Sequence, residues 1–596
     1  MERVFLFRVL FVAFIIILLG MASLYRTYLL QTRKSPEIES MIKRMWERVA
    51  PRYAKDGKIL ARDRRTILAT STKVGRIVIE KDLLADRKEA LRSLSSVLLI
   101  SEQEISERLD KNQQLKSVDL LYDIPVETAE KIDSMNLPGV FVRYYYQRFY
   151  PFGDKFAPHI IGYKNERNKT SIGIERMFLK DITGEDGRLS YDSDNRGRII
   201  PATLSSRPPK DGKDIITTLD KDIQLAAEDV AEKLYRQSKA KWVLITVMDA
   251  FTGEILASAV DPAFDPNEYA KGPSKGNEAN PLTQYIFEPG SILKPIIAAV
   301  ALDRGWITEE ERFFCTPTLK IGKYVIHEAE HDRNPNGFGN ISIRNILVHS
   351  SNVGMARIGL KIGQDKVLEA IRTMGITDKT GIELPSEAVT DTPKGYQHAK
   401  KGFVLPDITV ANLAFGQGIA MTPIALLRAY SAIVNGGVLV NPKIVYEEEV
   451  SQETRPKREL PLLPGEEIVE AKDVEPEASP GESERRVISR GTSEKMREIL
   501  EQVVSEGTGK RAKLNGFIVG GKTGTGQVAG GKNYLKGKYT SSFIGFFPKR
   551  EPRYLILVVA REPKGYYYGG LVCAPAFKEL AEKIVIIKRI PPESFE

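Results

Sequence analysis

Cysteine and histidine are scarce in this 596-residue chain, which contains two cysteines and five histidines. Two thiols cannot build a disulfide framework or complete a zinc site by themselves. Cys315 and Cys573 stand among Phe, Leu and Val residues, so we expect either two buried free thiols or one bridge between them. His327 and His331 belong to a strand-like stretch that runs into a polar loop. The sequence therefore predicts no metal and no cofactor.

A run of charges of one sign is also absent. The formal net charge is +9, but the basic residues are spread along the chain. Proteins that bind nucleic acids usually concentrate such residues in an arm or a stripe. We therefore expect a solvated basic surface and no nucleic-acid partner.

Length and composition indicate a globular protein of two or three domains. A chain of 596 residues exceeds one ordinary domain, and its 42% hydrophobic residues are sufficient for a large core. The stretch 205–214, "SSRPPKDGKD", is rich in proline and charge, which is typical of a domain boundary.

The amino-terminal region contains an uncharged apolar segment, residues 9–25. Its length is at the short end of the ~17–25 residues that span a bilayer as a helix. A cleavable signal peptide is the alternative, because 20–22 offers a site with small residues at both ends. Apolar residues continue beyond that site, which favours an uncleaved transmembrane helix.

The anchor predicts where the rest of the chain lies. We expect residues 1–8 to form a short cytoplasmic tail and the bulk of the chain to lie outside the cytoplasm, although charge counting does not decide the orientation. Residues 26–210 would form one extracytoplasmic domain and residues 211–591 a second. The stretch 452–489 is polar and charged and contains several prolines, so we expect it to be an exposed insert.

The second domain has the pattern of an α+β fold. Asp220 is a candidate N-cap for an amphipathic helix, and two hairpins are predicted over 242–260 and 541–560. With the segment around Lys522 there are five candidate strands, two early and three late, with a largely helical insert between them. This order predicts an antiparallel sheet with helices packed on it.

Ser291 and Lys294 form the first candidate catalytic pair, in "FEPGSILKP". Their i, i+3 spacing places both side chains on one face of a helix. A serine hydroxyl is a poor nucleophile until a base removes its proton, and a lysine in a dry cleft can have a pKa low enough for that role. The motif S-x-x-K is weak alone, and its apolar surroundings strengthen it.

Ser350 and Asn352 form the second candidate cluster, in "VHSSNVG". A serine–serine–asparagine sequence most often caps a helix or forms a turn. Beside a serine–lysine pair, the hydroxyl of Ser350 can relay a proton, and the amide of Asn352 can hold a substrate carbonyl.

The stretch "GFIVGGKTGTGQ", residues 516–527, matches two different motifs. Its first eight residues fit the phosphate-binding loop G-x-x-x-x-G-K-[ST], while Lys522-Thr523-Gly524 is a signature of serine acyltransferases. A phosphate loop requires a helix that starts at the lysine, and the glycines that follow Lys522 oppose helix formation. Glycines within a strand instead indicate close approach of another backbone. We therefore expect no nucleotide and predict an edge strand along which a peptide docks.

The three clusters in this order resemble those of the penicillin-binding proteins and serine β-lactamases. Further stretches are similar to class B penicillin-binding proteins, and the resemblance covers about 50–590. Upstream stretches are similar to the membrane-proximal pedestal of that class. The pedestal-like stretches are "RFYPFGDKFAPHIIGY" and "SIGIERMFLKDITGEDG", and the stretches of the second domain include "LAFGQGIAMTPIALLRAYSAIVNGG", "EGTGKRA" and "SSFIGFFP".

The resemblance implies a fold and a chemistry. The fold is the penicilloyl-serine-transferase fold, a five-stranded antiparallel sheet flanked by helices with a helical subdomain, preceded by a pedestal (dimerisation-like) domain. Ser291 would be acylated by the D-Ala-D-Ala end of a peptidoglycan stem peptide or by a β-lactam, with Lys294 as the base. The substrate carboxylate would be held by Lys522, Thr523 and Thr525. The backbone N–H groups of Ser291 and Thr525 would form the oxyanion hole.

The resemblance also implies a cellular role. Glu288 in "FEPGS" favours the septal cell-division type of transpeptidase over the elongation type. A membrane-embedded glycan polymerase of the division machinery is the implied partner, and the bacterial inner membrane is the implied location. A D,D-carboxypeptidase and a β-lactam-binding sensor are alternatives, although sensors carry more transmembrane helices than the one apolar span here.

Overall fold

The structure is a computed structural model, and it describes residues 2–32, 47–111, 115–165, 169–193, 199–271, 278–329, 335–393, 404–446, 484–530 and 533–593. His331 and residues 452–483 of the expected insert lie outside these ranges.

Seventeen helices are found in the described residues, numbered here in chain order. They are α1 (Glu2–Thr32), α2 (Arg87–Leu98), α3 (Glu102–Asp110), α4 (Val126–Ser134), α5 (Pro158–Ile161), α6 (Gly173–Met177), α7 (Leu179–Ile182), α8 (Lys221–Ser238), α9 (Pro281–Gln284), α10 (Leu293–Asp303), α11 (Ile343–Val348), α12 (Asn352–Ile362), α13 (Gln364–Thr373), α14 (Asp407–Ala414), α15 (Pro423–Val434), α16 (Arg490–Ser505) and α17 (Gly569–Lys588).

The strands of the same described ranges are numbered in the same way. They are β1 (Glu47–Arg52), β2 (Ile59–Leu60), β3 (Ile67–Glu80), β4 (Ser117–Ile124), β5 (Val140–Phe149), β6 (Lys164–Asn165), β7 (Thr170–Ser171), β8 (Gly187–Ser193), β9 (Ile199–Arg207), β10 (Ile215–Ile216), β11 (Trp242–Asp249), β12 (Ile255–Asp261), β13 (Arg312–Cys315), β14 (Thr318–Ile321), β15 (Tyr324–His327), β16 (Gly339–Ser342), β17 (Val438–Val440), β18 (Glu484–Arg486), β19 (Gly520–Gly530), β20 (Asn533–Phe547) and β21 (Tyr554–Arg561).

The chain divides into two compact units. The first comprises Met1–Asp56, Lys73–Tyr146 and Thr183–Gly212, and the second comprises Gly57–Thr72, Gln147–Ile182 and Lys213–Glu596. Two stretches that the sequence assigned to the first domain, 57–72 and 147–182, therefore pack with the second unit.

The first unit begins with α1, which includes the predicted transmembrane segment. Among the described residues, 4–32 is the one helix long and apolar enough to cross a bilayer. Its apolar side chains are exposed, as a lipid-facing helix requires. Farther along, β4 and β5 both pair with β3, and the core of this part of the unit includes Leu94 and Ile105 from α2 and α3.

The second unit contains the predicted antiparallel sheet, with strand order β12-β11-β21-β20-β19. The α+β class, the two hairpins and the Asp220 cap, which accepts the backbone N–H of Ile223, are confirmed. Successive residues of a strand point to opposite faces, so β11 contributes to two cores. Val243 and Ile245 pack with α8 and α17 on one face, whereas Leu244 packs with α10 and α15 on the other.

Helix α10 lies in the core on the face of the sheet to which Leu244 points. Nine of its residues, from Leu293 to Ala301, are buried, as expected for a helix that is apolar on all sides. Pro295 is in its first turn, where a missing N–H leaves no intrahelical bond unmade. The cysteines, expected to be buried thiols or one bridge, are both free and buried.

Candidate active site

Ser291 lies in a single 3₁₀ turn, Gly290–Ile292, that leads directly into α10. Gly290 has a φ of +55°, a left-handed conformation that glycine adopts without strain. Its backbone N–H donates to the carbonyl of Gly416 across 3.0 Å. The buried hydroxyl of Tyr430 donates to the carbonyl of Ile292 across 2.7 Å. The turn that presents Ser291 is therefore held from two sides.

Lys294 is one helical turn beyond Ser291 and has no exposed surface. Its Nζ donates to the carbonyl of Ser350 at 2.6 Å and to Oδ1 of Asn352 at 2.8 Å. A neutral primary amine has two N–H donors and one lone pair. The two acceptors satisfy both donors of the neutral form, which leaves the lone pair available to accept a proton.

Ser350 and Asn352 flank the start of α12. Ser350 has a φ of +59°, which turns the chain immediately before the helix. Ser351 is the N-cap, and its hydroxyl accepts the backbone N–H of Gly354 at 2.8 Å. The cap fixes the first turn of the helix and with it the side chain of Asn352.

Lys522 approaches from the edge strand β19 and is also completely buried. Its Nζ donates to Oγ of Ser350 at 2.9 Å. The same hydroxyl lies 3.4 Å from Nζ of Lys294. Ser350 therefore stands between two amines that come from opposite sides of the site.

The electrostatics of the two lysines follow from their burial. Burial lowers the pKa of Lys294 to about 7, and the carboxylate of Glu328 opposes that shift. Burial lowers the pKa of Lys522 well below its ordinary value, and the like charge of Lys294 lowers it further. A neutral Lys294 near pH 7 is the form that a general base requires.

A pocket of about 320 Å³ lies above these amines. The sequence-predicted residues that line it come from all three motifs: Ser291, Ser350, Asn352, Thr523, Gly524 and Thr525. Lys294 and Lys522 both contact Ser350 but do not line the pocket. The structure therefore brings together every candidate site residue that the motifs predicted.

The region around Lys522 differs in two respects from its prediction. The strand starts at Gly520, after the apolar residues 517–519, and continues to Gly530. The clearance that the strand glycines provide was expected to serve a docking peptide, and this expectation is wrong. A Cβ on Gly524 would lie 2.8 Å from the carbonyl oxygen of Pro289, and one on Gly526 would lie 2.1 Å from that of Glu288. The backbone that approaches the strand is the chain's own nucleophile segment.

No helix follows Lys522, so the phosphate-loop alternative lacks its structural requirement. In the part of the chain that the structure describes, no group of three His, Cys, Asp or Glu residues is placed to hold a metal ion.

Several residues of the site were not predicted individually. Glu328 accepts the backbone N–H of Asn352 at 2.7 Å, and Oγ1 of Thr508 lies 3.0 Å from Oγ1 of Thr523. The other unpredicted lining residues include Gln417, Lys510, Arg511 and Tyr568. The stretches "AFGQG" and "EGTGKRA" supported the family resemblance and were the available signal for Gln417, Thr508, Lys510 and Arg511. Glu328 had no motif of its own.

Family models match both units. Residues 243–582 match the model described as "Penicillin binding protein transpeptidase domain", and residues 51–217 match "Penicillin-binding Protein dimerisation domain".

Curated relatives match over most of their length. The chain is 30% identical to "Stage V sporulation protein D" of Bacillus subtilis over 90% of this chain and 79% of that protein. It is 31% identical to "Probable peptidoglycan D,D-transpeptidase PenA" of Neisseria gonorrhoeae, over 78% of this chain and 73% of the relative. It is 26% identical to "Peptidoglycan D,D-transpeptidase FtsI" of Escherichia coli, over 84% of this chain and 78% of that protein.

Solved structures have the same fold at lower identity. Penicillin Binding Protein 2X from Streptococcus thermophilus aligns with a TM-score of 0.69 at 20% identity, over 91% of this chain and 81% of that one. A peptidoglycan synthetase from Bifidobacterium adolescentis aligns with a TM-score of 0.65 at 24% identity, over 92% of this chain and 98% of that one.

Proposed function

Because the chain belongs to the penicillin-binding protein family, with a transpeptidase and a dimerisation domain, we propose that it is a membrane-anchored D,D-transpeptidase that crosslinks peptidoglycan stem peptides. The observation that carries the proposal is the arrangement around Ser350. A buried amine of low pKa, Lys294, lies one helical turn from the Ser291 hydroxyl, which lines an open pocket.

The first half of the reaction forms an acyl-enzyme. Lys294 takes the proton of the Ser291 hydroxyl as Oγ attacks the carbonyl carbon of the penultimate D-alanine. An ester bond forms to Oγ, the peptide bond breaks, and the proton passes to the departing amine of the terminal D-alanine. The Ser350 hydroxyl, placed between Lys294 and Lys522, is suited to carry that proton.

Binding and charge stabilisation are assigned to the other candidates. The backbone N–H groups of Ser291 and Thr525 would face the oxyanion, and each such donor is typically worth about 3 kcal/mol. The assignment is supported by the close packing of the two segments, since a Cβ on Gly290 would be 2.7 Å from the carbonyl oxygen of Thr525. The terminal carboxylate would lie near Thr523 and Thr525, and its negative charge would favour the protonated form of Lys522 against the effect of burial.

The second half of the reaction transfers the acyl group. An amine of a neighbouring stem peptide attacks the ester carbonyl, an amide forms, and the ester bond to Ser291 breaks. The proton of the amine returns to Oγ through the same groups. A β-lactam would acylate Ser291 by opening its ring, which retains the leaving amine.

We assign the protein to septal wall synthesis at the bacterial inner membrane. Support comes from Glu288 in "FEPGS", from relatives named FtsI and from the amino-terminal apolar helix. The partner would be a membrane-embedded glycan polymerase of the division machinery, with the bulk of the chain outside the cytoplasm. Depletion of the protein from its source cell should then give filaments, whereas an elongation-type enzyme would give rounded cells.

The acyl-enzyme is tested by intact mass spectrometry of the full chain in detergent after incubation with benzylpenicillin. The wild type should gain the mass of one drug molecule, and Ser291→Ala should gain none. Ser505→Ala, which changes an exposed serine in α16, should behave as the wild type. An unmodified wild type, or equal labelling of Ser291→Ala, would contradict the proposal.

A second measurement separates transfer from hydrolysis. The purified chain, supplied with a stem pentapeptide and an acceptor amine, should yield the amide-linked product together with free D-alanine. Release of D-alanine with a trimmed peptide as the sole product would identify a D,D-carboxypeptidase instead.

A further inference from the structure

Glu328 is a buried acid directly after β15, with 4% of its surface exposed. The hydroxyl of Ser351 donates to its carboxylate. So do the backbone N–H groups of Asn352, at 2.7 Å, and of Val353, at 3.3 Å. The carboxylate therefore binds the first turn of α12, where an anion is favoured by the unpaired N–H groups of the helix.

The same segment holds the side chain of Asn352. The carbonyl of His327 accepts Nδ2 of Asn352 at 3.0 Å. With Nδ2 bound there, Oδ1 of Asn352 points to Lys294 and accepts its Nζ at 2.8 Å. Residues 327 and 328 thus fix both the main chain and the side chain of the asparagine that contacts the base.

Glu328 also acts on Lys294 through its charge. The carboxylate raises the pKa of Lys294, against the larger lowering effect of burial. Other titratable or charged groups in this region include Lys522 beside Lys294, His349 at the pocket, and Cys315, on which both Glu328 and Arg357 act.

We propose that Glu328 is a positioning residue for acylation, which holds Asn352 against Lys294 and places a negative charge near that amine. This inference rests on the proposed acyl transfer at Ser291. Glu328 does not reach the pocket and would act through Asn352 and Lys294. A role confined to stability would leave the pH dependence of the reaction unchanged.

The decisive variant is Glu328→Gln, which keeps the size of the side chain and removes its charge. Without the negative charge the pKa of Lys294 falls further, so more of the amine is neutral in mildly acidic solution. The acidic limb of the pH–rate profile is the range in which the acylation rate falls as the pH decreases. This limb should then move to lower pH, by on the order of one unit for a nearby charge. The measurement is the rate of benzylpenicillin acylation of the full chain across pH.

Asp303→Asn is the matched control. Asp303 also accepts donors at a helix start, the backbone N–H of Ser489 at 2.7 Å and the hydroxyl of Thr492 at 3.0 Å. Loss of the Asp303 charge should leave the acidic limb at the same pH as in the wild type. A Glu328→Gln limb that coincides with the wild-type limb overturns the inference.

Glu328→Asp tests the geometry independently and remains informative if Glu328→Gln does not fold. The shorter side chain keeps the charge but cannot reach all three donors. The acidic limb of Glu328→Asp should coincide with that of the wild type. Its plateau rate should fall about tenfold, equivalent to an increase of about 1.4 kcal/mol in the activation free energy. A wild-type plateau in Glu328→Asp overturns the positioning role.

Failure of the inference is distinguishable from failure of the proposed function. If the wild type is not acylated at all, the reaction assigned to Ser291 is wrong. If the wild type is acylated and both Glu328 variants match it, the reaction stands and Glu328 is a structural residue.

Discussion

The amine of Lys522 and the hydroxyl of Ser350 are separated by 2.9 Å, although they are 172 residues apart in the chain. Ser350 is held by two lysines, since Nζ of Lys294 donates to its carbonyl at 2.6 Å. The serine thus connects the base on α10 with the edge strand β19. Its hydroxyl binds Lys522, and in the proposed mechanism it also relays a proton.

Replacement of Ser350 by Gly and by Ala separates the hydroxyl from the backbone conformation. Both variants lack the hydroxyl, so acylation by benzylpenicillin should fall about 10²-fold or more, as for a positioned proton-transfer group. The backbone at φ +59° suits glycine and strains alanine by about 1 kcal/mol. Ser350→Gly should therefore melt at a higher temperature than Ser350→Ala in a thermal unfolding measurement.

The relay is contradicted if Ser350→Gly, which lacks the hydroxyl, keeps the wild-type rate. A wild-type rate in Ser350→Gly together with a slow rate in Ser350→Ala would show that the turn, and not the hydroxyl, limits acylation. The carbonyl that binds Lys294 is present in both variants, so the base itself stays in place.

The pKa of Lys294 predicts the pH profile of acylation. Burial lowers it to about 7, and the proposed role as base requires the neutral amine. Below pH 7 the fraction of neutral amine falls, so the acylation rate should drop about tenfold for each pH unit. Above pH 7 the rate should reach a plateau. The acylation rate is measured below and above pH 7 with a fluorescent penicillin, in reactions that are quenched at timed intervals.

Lys294→Arg is the matched variant, because a guanidinium stays charged at every accessible pH. It should not be acylated at an appreciable rate anywhere in the profile. Lys361→Met, which removes a lysine outside the site, should retain the wild-type limb. A wild-type profile that is flat through pH 7 would contradict the role of Lys294 as the base.

The sequence predicted the site residues better than their environment. Ser291 lies in a 3₁₀ turn that leads directly into the helix of Lys294, so their relation follows from local spacing alone. Ser350 and Lys522 are joined by tertiary packing, and their meeting followed from the order of motifs in a known family. The predicted sheet followed from two hairpins of apolar strands, whose continuous apolar runs are typical of strands that are buried on both faces.

Other features could not be predicted because long-range contacts decide them. Glu328 is one of two acids in "IHEAEH", and only the packing of β15 against α12 makes it a buried ligand of backbone N–H groups. The placement of 147–182 with the second unit has no local signal, because its buried residues face partners far along the chain. The strand glycines were predicted to provide clearance, but their neighbour could not be identified from the sequence.

Gly526→Ala tests whether the clearance at the strand glycines admits the chain's own backbone or a docking peptide. The added Cβ would lie 2.1 Å from the carbonyl oxygen of Glu288, closer than any van der Waals contact permits. The strand must therefore move away from the nucleophile segment, at a cost of about 1–3 kcal/mol in stability. Both the melting temperature and the acylation rate should fall.

Gly491→Ala is the control for Gly526→Ala, because a Cβ on Gly491 meets nothing within 4 Å. It lies in α16, where alanine stabilises a helix by up to about 1 kcal/mol relative to glycine, so its melting temperature should equal or exceed that of the wild type. If the strand glycines served only a docking peptide, Gly526→Ala would lose turnover of stem peptides at an unchanged melting temperature. A lower melting temperature in the absence of any substrate instead identifies the chain's own backbone, at Glu288, as the neighbour that Gly526 admits.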